Sequence, residues 1–100
     1  MVVLMTQDFQ GVNREIVEAI TNDMGGLGNP PAGLIVHVST ETDGGIHVVD
    51  IWESEADFQT FADERLIPSA QKVLQERGIS MDGLSDPSFV QVFDFFVRGS

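Results

Sequence analysis

Two strand-like segments joined by a short turn constrain the fold of this chain most. Residues 34–40 and 45–53 consist largely of Val, Ile and Leu, and Asp43-Gly44 lies between them. A two-residue turn at this dipeptide suits type I′ geometry, since Asp and Gly tolerate positive φ. The pattern predicts an antiparallel hairpin in which His37 lies directly opposite Asp50. A turn displaced by one residue either way would give His37 a different partner.

The displaced registers would pair His37 with Val48 or Trp52, but two-residue turns keep His37, Asp50 and Trp52 on one face in each case. Polar groups buried without a partner cost ~1–3 kcal/mol, so polar side chains among apolar neighbours indicate a pair or a pocket. We predict that His37 and Asp50 are catalytic. His37 would move a proton near neutral pH, and Asp50 would hold one imidazole tautomer. The alternative is a structural pair that fixes the sheet register.

The remaining periodicity predicts an α+β fold. Strand patterns cover residues 2–9 and 88–98, and helical patterns cover 12–24 and 55–77, with Pro68 opening a second helical segment. With the hairpin, the order is β-α-β-β-α-β. A right-handed crossover then gives the ferredoxin-like arrangement, a four-stranded antiparallel sheet with two helices on one face. We predict a single domain over residues 1–98 and a C-terminal tail at 99–100.

Both faces of the predicted hairpin are apolar. One face is wholly aliphatic: Leu34, Val36, Val38, Val49 and Ile51. The other carries the polar candidates among aliphatic neighbours: Ile35, His37, Ser39, Ile46, Val48, Asp50 and Trp52. We expect the helices to cover the first face. Because two helices cannot cover both faces, we expect a second copy of the chain to cover the face of His37, giving a homodimeric α/β barrel.

Charge and composition narrow the partners and the location. Sixteen acidic residues against five basic ones give a net charge of −11, which repels phosphate backbones and anionic lipids. We therefore expect no nucleic-acid partner and no membrane partner. No apolar run approaches the ~20 residues of a membrane span. Because the chain has no cysteine and no basic region before its apolar N-terminus, we expect a cytoplasmic protein.

One stretch of the sequence resembles a known superfamily. Residues 44–54 read Gly-Gly-Ile-His-Val-Val-Asp-Ile-Trp-Glu-Ser, and Asp57-Phe58, Phe61, Arg65 and Pro68 follow. A third strand ending in Trp-Glu-Ser, a helix beginning with Asp-Phe and a proline break resemble the dimeric α/β-barrel superfamily, which includes the antibiotic biosynthesis monooxygenases. The element order matches over nearly the whole chain, and the sequence similarity is concentrated in residues 44–70.

The resemblance implies a homodimer with a pocket between sheet and helices or inside the barrel. Members include cofactor-independent oxygenases, haem-degrading enzymes, aromatic polyketide cyclases, muconolactone isomerases and stress proteins without established catalysis. The oxygenases place a Trp and an Asn, or sometimes a Tyr, around an aromatic substrate. Trp52 stands at a matching place, whereas the chain has no Tyr and has Thr6-Gln7-Asp8 in its first strand. The helical segment 55–77 has no His of the kind that haem degraders use.

We therefore predict a cofactor-independent, monooxygenase-like enzyme that acts on a planar apolar or aromatic molecule without a metal. Trp52, Phe93 and Phe95 would hold the substrate. Asp94 would be a pocket carboxylate, or would pair with Arg98 or a partner chain.

Other functions suit the same residues. A polyketide cyclase or isomerase also begins with proton removal beside a carbonyl, and a non-catalytic dimeric binding or stress-type protein would use the His-Asp pair structurally. An open cavity of ~300 Å³ or more that reaches His37 would favour an enzyme. We expect Arg65 to form a salt bridge with Asp57, Asp63 or Glu64, and His47 to be structural or exposed. The sequence shows no Ser-His-Asp nucleophile arrangement.

Overall fold

A computed structural model describes residues 1–99, and Ser100, which belongs to the predicted tail, lies outside the described residues. The elements in chain order are β1 (Val3–Gln10), α1 (Arg14–Asp23), β2 (Leu34–Thr42), β3 (Gly45–Trp52), α2 (Glu55–Phe61), α3 (Ile67–Glu76) and β4 (Ser88–Gln91). The described strands form one antiparallel sheet in the order β2-β3-β1-β4. The predicted ferredoxin-like α+β fold is confirmed.

The β2–β3 hairpin has the predicted register but not the predicted turn. His37 pairs with Asp50, and Thr42 pairs with Gly45. Gly44 has a φ of +80°, and every described residue with a positive φ is a glycine, so Asp43 has a negative φ. Type I′ geometry needs positive φ at both central residues, so the predicted turn type is wrong. Gly44 alone takes the left-handed conformation, and Asp43 avoids its steric cost.

A β-bulge at the start of β2 changes which side chains face the helices. Leu34 pairs with Trp52 and Val36 pairs with Ile51, so Ile35 is the extra residue on β2. The bulge places Leu34 on the face of Trp52, where it packs against the core. The prediction that Leu34 and Val36 share a face is wrong, because regular alternation does not hold across a bulge.

The chain from Glu55 to Glu76 contains a wide turn. Ser54 caps α2 by accepting a hydrogen bond from the Asp57 N–H at 3.1 Å. Residues Ala62–Leu66 form a π-helical turn, in which the Ile67 N–H bonds to the Ala62 carbonyl five residues earlier. Pro68 then lies in the first turn of α3, as predicted. In a regular helix, a proline ring clashes with the carbonyl four residues earlier. The wide turn before Pro68 is compatible with avoiding this clash.

The helices cover the face of the sheet that carries Asp50 and Trp52. The buried strand residues beneath them are Val3, Met5, Gln7, Phe9, Ile46, Asp50 and Trp52. The predicted assignment of the two faces is therefore inverted. The alternation of β2 and β3 could not decide the matter because both of their faces are apolar. In β1, by contrast, buried and more exposed residues alternate, and Met5 lies opposite Asp50.

The helices within residues 1–99 leave the other face of the sheet uncovered. It carries half-buried Leu4, Val36, Val49 and Ile51 and exposed Val38. In addition, β4 ends at Gln91, although a strand was predicted to residue 98. The Val92 N–H still donates to the Val2 carbonyl at 2.9 Å. Because β1 begins at Val3, the residues after Val92 have no part of β1 to pair with. None of the helices within 1–99 is long and apolar enough to cross a membrane.

Candidate functional site

His37, Asp50 and Trp52 form a hydrogen-bonded chain beneath the helices. His37 Nδ1 lies 2.7 Å from Asp50 Oδ1, and Trp52 Nε1 donates to Asp50 Oδ2 at 3.1 Å. The hairpin register places His37 opposite Asp50, and two-residue spacing places Trp52 on the same face. An ionised carboxylate only accepts hydrogen bonds, so Nδ1 carries a proton and Nε2 is the basic nitrogen of the neutral ring.

Ser39 extends this chain and was missed as a site residue. Its Oγ lies 3.2 Å from His37 Nε2, so the hydroxyl donates to the neutral ring. The signal in the sequence was the two-residue spacing from His37 on the same strand face. Ser39, His37 and Asp50 stand in the order of nucleophile, base and orienting carboxylate, an arrangement that the sequence alone did not show.

The pair combines a buried carboxylate with an accessible imidazole. The side chain of Asp50 is 5% exposed, and that of His37 is 47% exposed. The hydrogen bond that His37 donates to Asp50 raises the pKa of His37 above 6.5; burial opposes this effect and the charge of Asp50 adds to it. His37 therefore takes up a proton more readily than a free histidine, and its exposed edge can exchange that proton.

A cavity of about 180 Å³ lies between the sheet and the helices and reaches His37, Asp50 and Trp52. Its other walls are mostly apolar, with Val17 and Ile20 from α1 and Phe58 and Phe61 from α2 among them. The volume is below the ~300 Å³ that the sequence analysis set for an enzyme, but the interior is not filled. An apolar cavity of ~150 Å³ takes up benzene, so this one has room for a single ring.

Three aromatic rings form one wall of the cavity. Trp52 is fully buried and packs edge-on against Phe58, with 5.5 Å between ring centroids. Its contact with Phe61 is tilted, with 5.4 Å between centroids. Phe89 of β4 contacts Phe58 at 5.6 Å. Trp52 is thus both a core residue and a surface that a ligand can contact.

The remaining predicted substrate residues lie elsewhere. Phe93, Asp94 and Phe95 follow β4 in an exposed segment, where Phe93 is 99% exposed. None of the three is among the described residues that line the cavity. The structure does not bring them to His37 within one chain, and their role stays a prediction.

Arg65 is the basic side chain among the described cavity residues. Its Nη2 donates to the carbonyls of Met24 at 2.9 Å and Asn29 at 2.8 Å. Its guanidinium carbon lies 5.8 Å from the centroid of Phe61. The expected salt bridge with a neighbouring helix carboxylate is wrong, because Arg65 lies on the π-helical turn and bonds the α1–β2 loop instead.

A second histidine–carboxylate pair lies on the other face of the sheet. His47 Nδ1 is 2.7 Å from Asp8 Oδ1, and the two side chains are 36% and 51% exposed. His47 is thus partly exposed and paired on the uncovered face. Within residues 1–99, no three His, Cys, Asp or Glu side chains are grouped so as to hold a metal ion.

Solved structures with the same fold include several named enzymes. A candidate antibiotic biosynthesis monooxygenase from Chloroflexus aurantiacus is 13% identical, with a TM-score of 0.66 over 99% of this chain and 100% of that one. SnoaB, a cofactor-independent oxygenase from Streptomyces nogalater, is 10% identical, with a TM-score of 0.59 over 94% of this chain and 95% of its own. A hydroxynitrile lyase from Passiflora edulis is 17% identical, with a TM-score of 0.50 over 93% and 96%.

No family model matches this chain, and no curated protein matches it. The structural neighbours are too distant in sequence to show more than the fold. At that level, the predicted resemblance in fold to antibiotic biosynthesis monooxygenases is confirmed.

Proposed function

We propose that this protein is a cofactor-independent, monooxygenase-like enzyme that removes a proton from a small planar apolar or aromatic substrate. The observation that carries the proposal is the Trp52–Asp50–His37 chain, which ends at an accessible imidazole on an apolar cavity. A cofactor-independent oxygenase and a hydroxynitrile lyase that share the fold support a small-molecule enzyme.

In this proposal the Ser39 hydroxyl turns away from His37 Nε2. Nε2 then takes a proton from a substrate carbon beside a carbonyl or on an electron-rich ring. Asp50 stabilises the imidazolium that forms, as a carboxylate does beside a catalytic histidine. In the oxygenase case dioxygen reacts with the carbanion. A CH₂ group becomes a C=O group and the second oxygen atom leaves as water, so R₂CH₂ + O₂ gives R₂C=O + H₂O. A cyclase or isomerase would use the same first step.

Proton exchange tests the first step without knowledge of the product. Phenylacetone, a one-ring ketone, can be incubated with the protein in D₂O while the loss of its α-proton signals is followed by NMR. We expect His37→Ala to slow the protein-dependent exchange by ~10²-fold or more, the usual contribution of a general base. His47→Ala is the matched control, because His47 also pairs with a carboxylate but lies on the other face.

Equal rates for the two variants, or a native rate no faster than buffer, would contradict the proposal. Thermal unfolding of both variants checks that each remains folded. Loss of exchange in both variants with an intact fold would show that the effect is not specific to His37.

A second candidate function is acyl transfer at Ser39, favoured by its 3.2 Å contact with His37 Nε2. Ser39 Oγ would attack an ester carbonyl, while His37 takes the hydroxyl proton and passes it to the leaving alkoxide. Water would then release the acid from the acyl-serine. With 4-nitrophenyl acetate, this function predicts an acetyl adduct on Ser39 and a burst of 4-nitrophenol that Ser39→Ala abolishes. Proton exchange by the first mechanism should persist in that variant.

We also propose that a second copy of the chain covers the face of the sheet opposite the helices. Val38 of the edge strand β2 is 44% exposed there, and Val90 of the opposite edge strand β4 is 61% exposed. The helices already occupy the face of His37, so dimerisation would not bury the cavity as the sequence analysis expected.

A further inference from the structure

We propose that the substrate of this cavity carries an anionic oxygen, on a carboxylate or a phenolate, and that Arg65 binds it. The inference deepens the proposed function, because it names the substrate class of the same cavity. It rests on the charge, the free donors and the fixed position of one side chain.

Arg65 lacks the carboxylate partner that the other basic residues of the helices and flanking segments have. Arg14 pairs with Glu41, Lys72 with Asp23 and Arg77 with Glu15. Among residues 1–99, no Asp or Glu forms an ion pair with Arg65, although the chain has sixteen acidic residues. A partly buried cation without a counter-charge is costly, and an anionic ligand would supply that charge.

The guanidinium has donors to spare. It carries five N–H groups, and the two on Nη2 bond the carbonyls of Met24 and Asn29. The three hydrogens on Nε and Nη1 have no partner in the described part of the chain. Since no fully buried side-chain polar atom is left without a partner within 1–99, these donors are accessible to a ligand or to water.

The position of Arg65 is already fixed before a ligand binds. Its two carbonyl bonds hold the guanidinium against the α1–β2 loop, and Phe61 lies between it and Trp52. A preorganised donor loses little entropy on binding. Because the surrounding walls are mostly apolar, attraction between the guanidinium and an anion is screened less than in water.

Negative charge near the cavity could oppose such a ligand. Of the two carboxylates among the described lining residues, Asp8 pairs with His47 on the other face of the sheet. In Asp50, one carboxylate oxygen accepts a hydrogen bond from His37 and the other accepts one from Trp52. Both oxygens therefore already have a hydrogen-bond donor where a ligand would meet them. The net charge of −11 is carried by the whole chain, and its long-range effect falls off over ~8 Å at physiological salt. Contact with Arg65 therefore dominates within the cavity.

The test compares benzoate with benzamide, a neutral molecule of nearly the same shape, by quenching of Trp52 fluorescence. Trp52 is the sole tryptophan and lines the cavity. We expect the native protein to bind benzoate about tenfold more tightly than benzamide, the range of a hydrogen bond to a charged group. Arg65→Met should remove this preference while leaving benzamide affinity within about threefold, and Arg65→Lys should restore part of it. Arg77→Met, which removes a surface ion pair, should retain it.

Three results would overturn the proposal. The native protein could bind both molecules equally or neither. Arg65→Met could weaken both to the same degree, which would show that Arg65 only holds the loop. The preference could also survive in Arg65→Met and disappear in His37→Ala, which would assign the anion to His37. Should Arg65→Met fail to fold, the native ratio of benzoate to benzamide affinity must still fall as salt rises.

The proposal that Arg65 binds an anion and the proposal that His37 transfers a proton can fail independently. The affinity ratio needs no turnover, so it can hold even if His37→Ala leaves proton exchange unchanged. Conversely, proton exchange of the neutral phenylacetone does not require Arg65.

Discussion

At the scale of single residues, the protonation of His37 depends on the carboxylate beneath it. The hydrogen bond that His37 donates to Asp50 raises the pKa of His37 above 6.5 in the folded protein. Because the folded pKa is the higher one, protonation favours the folded state. This contribution to the unfolding free energy is fully present below the unfolded pKa of about 6.5 and is lost as the pH rises through the folded pKa.

Replacing Asp50 by Asn should therefore lower the pKa of His37 to 6.5 or below, because the raising effect is removed while burial remains. NMR titration of the ring protons measures this directly, with His47 as an internal control on the opposite face. The part of the unfolding free energy that declines with rising pH should become smaller in the variant. An unchanged His37 titration would show that the 2.7 Å contact does not determine its protonation.

The pairing of His37 with Asp50 could be predicted from the sequence, but the surroundings of the pair could not. The Asp-Gly dipeptide fixed one register, and that register brought His37 to Asp50. The position of Arg65 depends on a π-helical turn, for which an α-helical period gives no signal. Phe93 and Phe95 were expected near the substrate because of their aromatic character alone, and the structure leaves their segment outside the sheet.

At the scale of elements, the entry into β2 is held by a close contact with α2. Gly33 has a φ of +88°, and its carbonyl accepts a hydrogen bond from the Glu53 N–H at 2.8 Å. A Cβ atom on Gly33 would lie 2.4–2.7 Å from side-chain atoms of Asp57. The glycine therefore lets the bulged start of β2 approach the helix beside the cavity.

Gly33→Ala should lower the unfolding free energy by at least ~1–2 kcal/mol, the cost of left-handed backbone for a residue with a Cβ. The contact with Asp57 adds to this cost. Gly28→Ala in the same loop is the matched control, because Gly28 has no positive φ and its Cβ would meet nothing within 4 Å. Urea unfolding followed by Trp52 fluorescence compares the two. Similar losses for both would mean that the loop tolerates no side chain anywhere.

The element order could be predicted because helix and strand periods differ, but the orientation of the sheet could not. Apolar side chains occupy both faces of β2 and β3, so either face could have packed against the helices. The bulge at Ile35 places Leu34 on the opposite face from the one predicted, and the local composition does not indicate the bulge. The alternation in β1, whose buried side includes Val3, Met5 and Phe9, indicates which face of the sheet the helices cover, whereas the hairpin does not.

At the scale of the whole molecule, the uncovered sheet face is the main unsatisfied feature of a single chain. Its aliphatic set includes Val38, which is 44% exposed, and Val90 of β4 on the same face is 61% exposed. Burial of apolar surface contributes ~25 cal/mol per Å², and exposed apolar patches of this kind mark interfaces. We therefore expect the native protein to sediment as a dimer at micromolar concentration.

Val38→Lys should convert that dimer to a folded monomer, because Val38 is an exposed member of the aliphatic set on this face and a lysine there would have to be buried against the second copy. Gln71→Lys adds the same charge at an exposed position of α3 and should leave the dimer intact. Sedimentation velocity measures the mass of each, and circular dichroism checks the fold. The Trp52–Asp50–His37 chain lies on the other face, so the benzoate preference should survive in the monomer. If Val38→Lys remains dimeric, the copies associate through another surface; if the dissociated monomer loses the preference, the cavity depends on the second copy.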